Sequence, residues 1–378
     1  MRELSKVRED IDKVDNEIVE LYKKRLSLAE EVAGFKIAHS RPVYDKKREE
    51  EKLLKLSSLG SDEFEKKGIR ELFSQVMSGS RKRQYAIMAE AGRVHSFGFT
   101  VRDRFDFSNC KIAYQGVEGA YSEAALVDFF GRGHNIHSVP TWRDAFNELR
   151  DGISDYAVLP IENSTAGVVS ENYDLLSEYS DSSAIVGEQI IKIDHALLGL
   201  PGARIEDIRT VISHPQALMQ CRGYLDRHPE FEKKALTNTA MSAMKVRDDG
   251  DSSQAAIAGK INAGIYGLTV LEESIQDDTG NETRFLIVSG SHEYLRDAEK
   301  LSISFTLNND TGSLYHVLSN FTYNGLNMSR IESRPLTGRQ WEYRFFIDCD
   351  GNLLSSSVQN MLRGLEEETN SLLILGNY

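Results

Sequence analysis

The sequence predicts a multidomain fold with an all-α amino-terminal module, a two-lobed α/β centre and an α+β carboxy-terminal module of order βαββαβ. Three observations carry this. Residues 1–92 place apolar side chains at three- and four-residue steps. Residues 110–290 alternate short apolar strands with helical stretches opened by turn residues. Residues 299–378 hold four stretches of strand character and two of helix. Between the first two, residues 93–109 mix charge and glycine without a period and read as a linker. A chain of 378 residues is long enough for each module to bury a core.

A net charge of -13 and a pI near 5.3 argue against nucleic acid or an anionic membrane as partner, while leaving room for local basic pockets that take small anions. Cys110, Cys221 and Cys349 lie far apart without metal-ligand spacing, so neither a disulfide framework nor a metal site is expected. The amino terminus lacks an apolar leader, and no segment approaches the roughly 20 apolar residues of a membrane span. A cytoplasmic protein is expected.

In the first module, Leu4, Val7, Ile11, Val14, Ile18, Leu21, Leu28, Val32 and Phe35 mark one long amphipathic helix, from about Glu3 to His39. Arg25 fills the gap in the stripe, and Lys36 lies about three turns beyond it on nearly the same face. Two cations on an apolar stripe either snorkel to solvent or await an anion. His39 to Val43 breaks the helix. Tyr44 to Ser58 forms a second, carrying Asp45, Arg48 and Glu49 near its start, and Ile69 to Ala91 a third. Ser80 and Gln84 interrupt the third stripe of Ile69, Phe73, Val76 and Ile87, which favours an enclosed polar pocket. Two short helices cannot cover a helix of roughly 54 Å, so a partner chain is expected to complete it.

This module resembles the all-helical chorismate mutases over its full length. The resemblance implies an intertwined dimer in which Arg8 crosses into the partner's site. It further implies that Arg8, Arg25 and Arg48 grip the carboxylates of chorismate, that Asp45 and Glu49 orient its hydroxyl end, that Lys36 and Gln84 meet the ether oxygen, and that Ser80 contacts substrate.

In the centre, strand Lys111–Gln115 runs through a glycine-bearing turn, 116–120, into a helix from about Glu123. Such a turn suits a bound carboxylate or close strand–helix packing equally. Thr141 to Leu149 is a helix with capping-box spacing, and strand Tyr156 to Ile161 delivers Glu162 to Gly167 at its carboxyl end, where open α/β sheets keep their sites. Strand Thr210 to Ile212 leads to Ser213 as helix N-cap and then to Gln220. His214 tempts a general-base role, yet no acidic orienter is evident, and a hydrogen bond within the turn is the better reading. Asn238 to Val246, Ala255 to Ala258 and Gly259 to Tyr266 supply helix, strand and helix before the chain returns to the first lobe at Asn281-Glu282-Thr283-Arg284-Phe285. There a hydroxyl stands beside a guanidinium, a pairing that suits a carboxylate-bearing substrate.

Tyr114 to Ser122, Leu159 to Gly167, Ser213 to Cys221 and Asn281 to Phe285 resemble, in order, the signatures of the prephenate dehydratases, whose two lobes are like those of periplasmic binding proteins. The resemblance implies a site made from Glu162, Asn163, Ser213, Gln220 and Thr283, with Thr283 donating to the departing hydroxyl as carbon dioxide leaves. Arg284 is expected to anchor a carboxylate or brace the lobes.

In the last module Leu301 to Phe305, Asn327 to Ile331, Trp341 to Ile347 and Leu372 to Leu375 are strands, with helices at Ser313 to Phe321 and Ser356 to Glu367, a ferredoxin-like order. Glu332-Ser333-Arg334-Pro335 resembles an effector motif of phenylalanine-binding ACT domains. Gly312-Ser313-Leu314-Tyr315 stands where such domains commonly have Gly-Ala-Leu-Val. The resemblance implies a phenylalanine site at Gly312, Ser313, Leu314, Glu332, Ser333, Arg334 and Pro335.

The expected function is therefore conversion of chorismate through prephenate to phenylpyruvate without a cofactor, inhibited by phenylalanine, in a homodimer or tetramer. Dehydration of arogenate at the same cleft, or a non-catalytic sensor of aromatic metabolites, stays open.

Overall fold

A computed structural model describes residues 2–39, 41–90, 96–336 and 342–378. Expectations placed on Ser40, Ala91, residues 93–95 and Trp341 lie outside the described residues. The chain forms two compact units, one of Met1–Phe97 with Glu299–Leu372, the other of Gly98–Ala298 with Leu373–Tyr378. No helix among the described residues is long and apolar enough to cross a membrane.

The first unit opens with α1 (Leu4–Ala38), α2 (Lys46–Ser57) and α3 (Glu63–Glu90), with α1 and α2 both packed on α3. Asp45 caps α2 by accepting from the Arg48 backbone N–H at 3.1 Å, so a residue expected only to meet substrate also starts a helix. The third helix starts at Glu63, ahead of the expected Ile69, because Asp62 accepts from the Glu65 N–H at 2.8 Å and caps it. The apolar stripe of α1 is not the face that meets α3. Ala29 and Ala33 are buried there instead, small enough for close approach, while Ile11, Leu21, Leu28 and Phe35 are more than half exposed. Along α3, Met77 to Tyr85 are buried except Arg83, Arg81 and Lys82 included.

The second unit is two-lobed. Its first lobe is built from β1 (Thr100–Arg102), β2 (Lys111–Gln115), α4 (Tyr121–Phe130), β3 (Asn135–Val139), α5 (Trp142–Arg150), β4 (Tyr156–Asn163), β5 (Gly167–Val168), α6 (Ser170–Glu178) and β6 (Ala184–Lys192). The strand β1 lies where only a linker was expected. The second lobe holds β7 (His195–Gly199), β8 (Thr210–Ser213), α7 (Pro215–Gln220), α8 (Arg222–Asp226), β9 (Glu232–Ala235), α9 (Thr239–Asp249), β10 (Gln254–Gly259), α10 (Ile261–Tyr266) and β11 (Thr269–Glu272). The chain then returns as β12 (Glu282–Ser289) and β13 (Glu293–Leu295).

In the first lobe the sheet runs β3-β2-β4-β12-β6, with β12 antiparallel to both neighbours; the second sheet runs β11-β7-β10-β8-β9. Each lobe buries its own apolar core, one around Ile112, Leu126 and Val158, the other around Leu197, Val211 and Ile257. Two passages join the lobes, Ile193-Asp194 between β6 and β7 and residues 273–281 between β11 and β12.

The expected capping box on α5 is present, with Thr141 accepting from the Asp144 N–H and Asp144 from that of Thr141. Ser213 is not the cap of α7. Its hydroxyl is fully buried and donates to the Ile257 carbonyl at 2.6 Å, and His214 caps instead, Nδ1 accepting from the Gln216 N–H at 3.3 Å. The turn after β2 serves close packing. Gly119, at φ +84°, would place a Cβ 2.1 Å from Asn262 Oδ1 of the other lobe, and its N–H is already taken by Glu123 Oε2 at 2.5 Å.

Residues 300–377 comprise β14 (Lys300–Leu307), α11 (Ser313–Tyr323), β15 (Met328–Pro335), β16 (Tyr343–Asp350), α12 (Ser356–Glu368) and β17 (Ser371–Asn377). The central β16 is antiparallel to β14 and β15, and the core of Ile303, Phe305, Phe321, Ile347, Leu362 and Leu365 is closed to solvent. Helix α12 packs on α11 and on α3.

Candidate active sites

In the first unit Arg25, Lys36, Asp45, Arg48, Glu49, Ser80 and Gln84 line one cavity of about 980 Å³ between α1, α2 and α3. Seven cationic residues line it against two acidic ones, in a protein whose net charge is -13. A field of that sign selects a multiply charged small anion. Arg25 reaches the Val76 carbonyl at 2.9 Å and the Ser80 hydroxyl; Lys36 donates to the Val43 carbonyl at 2.5 Å. Burial holds both cations below their ordinary pKa, with Glu49 working against the shift at each. Gln84 donates to the Ser80 carbonyl at 3.2 Å while its buried Oε1 has no hydrogen-bond partner among the described residues. Arg8 is exposed on α1 and does not line the cavity, about 25 Å along the helix from Arg25.

The sequence did not point to Arg81 or Tyr44 here. Arg81 lies over the Tyr44 ring at 4.8 Å and pairs with Glu49. A signal was present in Arg81-Lys82-Arg83, three cations in a helix otherwise flanked by small and apolar residues.

In the second unit Asn163 ends β4 directly across from Thr283 on β12. Its carboxamide nitrogen donates to Asn281 Oδ1 at 2.7 Å, the Glu282 carbonyl at 3.0 Å and Thr283 Oγ1 at 2.9 Å. Its oxygen accepts from the Thr165 N–H, the Thr165 hydroxyl, the Ala166 N–H, Gln216 and Gln220, at 2.8–3.4 Å. Gln220 also donates to Thr165 Oγ1 at 2.7 Å and faces His195 Nε2 at 3.1 Å.

The imidazole of His195 is almost wholly buried at the first passage between lobes, which holds its pKa below the ordinary value and keeps it neutral; the Gln220 bond acts the other way. With the proton on Nε2 facing Gln220, Nδ1 lies 3.2 Å from the Tyr121 hydroxyl, whose proton goes to the Asp194 carbonyl at 2.9 Å. Burial, reinforced by Asp194, raises the Tyr121 pKa far above its ordinary value, so it remains a donor.

A cavity of about 160 Å³ opens on Asn163, His195, Gln220 and Thr283, and a second of about 350 Å³, sharing Gln216 and Gln220 with it, runs past Thr165 and Asn281. Among the described residues neither is lined by Lys or Arg, and the larger is lined by Asp277 and Asp278.

Three expected site residues stand elsewhere. Ser213 is sealed behind the cleft, as described. Arg284, the neighbour of Thr283 on a pleated strand, projects from the opposite sheet face, donating to Glu188 at 2.6 Å and to the Tyr378 hydroxyl at 2.9 Å. Glu162 faces Arg284 in the ladder and shares that opposite face. Arg284 thus braces the sheet. His195, Tyr121, Thr165 and Asn281 take part in the cleft, although sequence reasoning gave them no role.

The two stretches expected to bind an effector lie at one end of the last module's sheet. Pro335 pairs with Tyr343, which pairs with Leu307 just before the loop to Gly312, and Gly312 caps α11 at φ +85°.

A family profile described as chorismate mutase type II matches residues 7–85, and one described as prephenate dehydratase matches residues 112–293. The chain is similar to a bifunctional chorismate mutase/prephenate dehydratase of Stutzerimonas stutzeri, at 32% identity over 100% of this chain and 97% of that protein. Among solved structures it is similar to prephenate dehydratase in complex with L-Phe from Arthrobacter aurescens, with a TM-score of 0.66 and 32% identity, covering 71% of this chain and 89% of that one. It is also similar to GqqA, described as a novel type of quorum quenching acylase, with a TM-score of 0.65 and 32% identity, covering 71% of this chain and 97% of that one.

Proposed function

The chain belongs to the bifunctional chorismate mutase/prephenate dehydratases, and from that premise we propose how its residues divide the two reactions. It rearranges chorismate to prephenate, then decarboxylates and dehydrates prephenate to phenylpyruvate, in phenylalanine biosynthesis. We assign residues 1–92 to the first step, 110–290 to the second and 299–378 to regulation, with 93–109 as linker.

The rearrangement needs no nucleophile or proton transfer. It needs a folded dicarboxylate and stabilisation of charge growing on the ether oxygen. In the cationic cavity Arg25 and Arg48 hold the carboxylates, Lys36 and Gln84 meet the ether oxygen, and Asp45 with Glu49 accepts from the hydroxyl end. Ser80 positions Arg25. The exposed apolar stripe of α1 supports a homodimer in which that stripe is covered and Arg8 reaches the partner's cavity.

For the second step the Asn163–Thr283 hydrogen bond carries the reading. Because Asn163 donates to Thr283 Oγ1, one lone pair of that oxygen is occupied and its own proton is left for the substrate. No acceptor for it is found among the described residues. Thr283 therefore donates to the departing hydroxyl, in a bond that strengthens as negative charge gathers there. The absence of a cation from the smaller cavity among the described residues has a use as well: a carboxylate about to leave as carbon dioxide is better placed beside the neutral Asn163, Gln216 and Gln220 amides than in an ion pair that would stabilise the ground state. Gln220 and Thr165 orient the substrate. Acyl transfer, the activity attributed to GqqA, would require an activated nucleophile, and no imidazole or carboxylate hydrogen-bonds Thr283 or Ser213 among the described residues.

The last module is read as a ferredoxin-like ACT domain binding phenylalanine at Gly312 to Leu314 and Glu332 to Pro335, as supported by the shared sheet end and the phenylalanine complex of the Arthrobacter protein. Effector bound there inhibits dehydration.

Thr283→Ala tests the assignment. Turnover of prephenate should fall at least 100-fold while binding, measured calorimetrically, changes less than about threefold. Unchanged turnover would remove Thr283 from the mechanism.

A further inference from the structure

Arg81 lines the mutase cavity, yet every nitrogen of its guanidinium faces a carboxyl oxygen. NH1 donates to Glu49 Oε2, NH2 to Glu368 Oε1 at 2.7 Å, and Nε lies 3.6 Å from Glu367 Oε2. The guanidinium is about 10% exposed and spread over the Tyr44 ring. Both terminal nitrogens thus already donate to carboxylates, which holds the guanidinium in place against the wall of the cavity. Glu367 and Glu368 do not line the cavity; they end α12, a helix of the carboxy-terminal module. They are themselves held, Glu367 by the Tyr85 hydroxyl and Glu368 by Asn320 Nδ2 of α11 at 2.8 Å.

We propose that Arg81 is a positioning residue for the chorismate rearrangement, and that the Glu368 carboxylate at the end of α12 anchors it so that Glu49 presents its free oxygen to the substrate. This rests on the reading of the cavity as the mutase site. The logic is geometric. With Arg81 on Oε2, Oε1 of Glu49 is left to accept from the substrate hydroxyl, and the rotamer of Glu49 is set by a cation that α12 prevents from turning into the cavity. Release of the anchor frees the guanidinium to follow the substrate's own carboxylates, and Glu49 loses its orientation. Lys82 reinforces the seam, donating to Ser319 of α11 at 3.1 Å and lying 4.0 Å from the centroid of the Tyr323 ring. The geometry of the rearrangement site is thereby completed by a module that, among the described residues, contributes none to its lining.

The test uses the full-length protein and the variants Arg81→Gln, Glu367→Gln and Glu368→Gln, each assayed with chorismate for rearrangement and with prephenate for dehydration. Arg81→Gln should lower mutase kcat/KM between about 10- and 100-fold, as expected for loss of charge-assisted bonds. Glu368→Gln should lower it about three- to tenfold, although the residue lies outside the cavity. Dehydration should stay within twofold in all three.

The mutase pH profile adds a readout that mere loosening would not move. Glu49 is held above the ordinary carboxylate range by burial, and it faces Arg25 and Lys36 of α1, Arg81 of α3, and Glu367 and Glu368 of α12. Removing the Arg81 cation should shift the acid limb of kcat/KM upward, and removing the Glu368 anion should shift it downward. Opposite shifts establish the chain Glu368–Arg81–Glu49. Unaltered kcat, KM and acid limb in Glu368→Gln would overturn the anchor, while Glu367→Gln, which replaces a carboxyl already protonated at neutral pH, should leave the acid limb in place. Equal loss of both activities in Arg81→Gln, with no shift of the limb, would reduce Arg81 to a structural residue. Failure of the wild-type protein to turn over chorismate would instead overturn the reading of the cavity on which the proposal rests.

Discussion

Asn163→Asp puts the direction of the proton in the dehydratase cleft to the test. At present the Asn163 nitrogen serves three acceptors, Asn281 Oδ1, the Glu282 carbonyl and Thr283 Oγ1. Aspartate would set an oxygen there. The two N–H groups shared among these acceptors would be lost before repulsion is counted, so at about 1 kcal/mol each about 2 kcal/mol is the scale of the strain. Part of it is recoverable, because Asn281 can turn its buried and unpartnered Nδ2 toward the new carboxylate. Thr283 can do the same with its hydroxyl, and that turn decides the outcome. The five donors already aimed at Asn163 Oδ1 favour the ionised aspartate. An ionised Asp captures the proton intended for the substrate. Loss of one donor to the transition state costs about 10²–10³ in kcat. Phenylpyruvate formation from prephenate should drop by that factor with KM within about threefold, while chorismate rearrangement by the same preparation is unchanged. A kcat within threefold of wild type would refute the claim that Asn163 directs the Thr283 proton outward.

Gln84→Ala should depress rearrangement about 100-fold and leave dehydration within twofold, since it removes a polar group from the first cavity alone; equal loss of both would mean misfolding. Glu367 supplies a pH prediction. Burial raises its pKa from 4.5 to about 8, against the pull of Arg81. The folded chain then keeps a proton that the unfolded chain releases near 4.5, so this group's contribution to stability falls as pH rises from about 4.5 to 8 and is flat above. At about 1.4 kcal/mol per unit the ceiling is on the order of 5 kcal/mol. Melting midpoints recorded across that window should decline in wild type and flatten in Glu367→Gln, and parallel curves for the two proteins would contradict the shift.

Regular elements were legible wherever side chains repeat with a period or a cap is spelled out locally. Strand Lys111–Gln115, the Thr141 capping box and the return of the chain at Thr283 needed only neighbouring residues to be read. Which face an element buries was harder. The stripe of α1 was visible, but Ala29 and Ala33, not the large apolar residues, meet α3, because the stripe is expected to serve another chain. The same limit applies to the sites. Asn163 and Thr283 stood out by motif, whereas His195 and Tyr121 became partners only because the passage between the lobes brings residues 74 positions apart to 3.2 Å. Ser213 and Arg284 carry suitable chemistry in suitable motifs, yet one faces the second lobe's core and the other the far side of its sheet, a distinction made by pleat and burial. Arg81 needs Glu367 and Glu368, nearly the whole chain away, to make sense of a buried cation.

The most direct measurement of the central claim is to supply purified full-length protein with chorismate and follow prephenate and phenylpyruvate over time, with and without phenylalanine. The account predicts transient prephenate, accumulating phenylpyruvate, and slower phenylpyruvate formation when phenylalanine is present. Persistent prephenate without phenylpyruvate would leave the helical cavity its role and contradict the one assigned to Thr283 and its cleft.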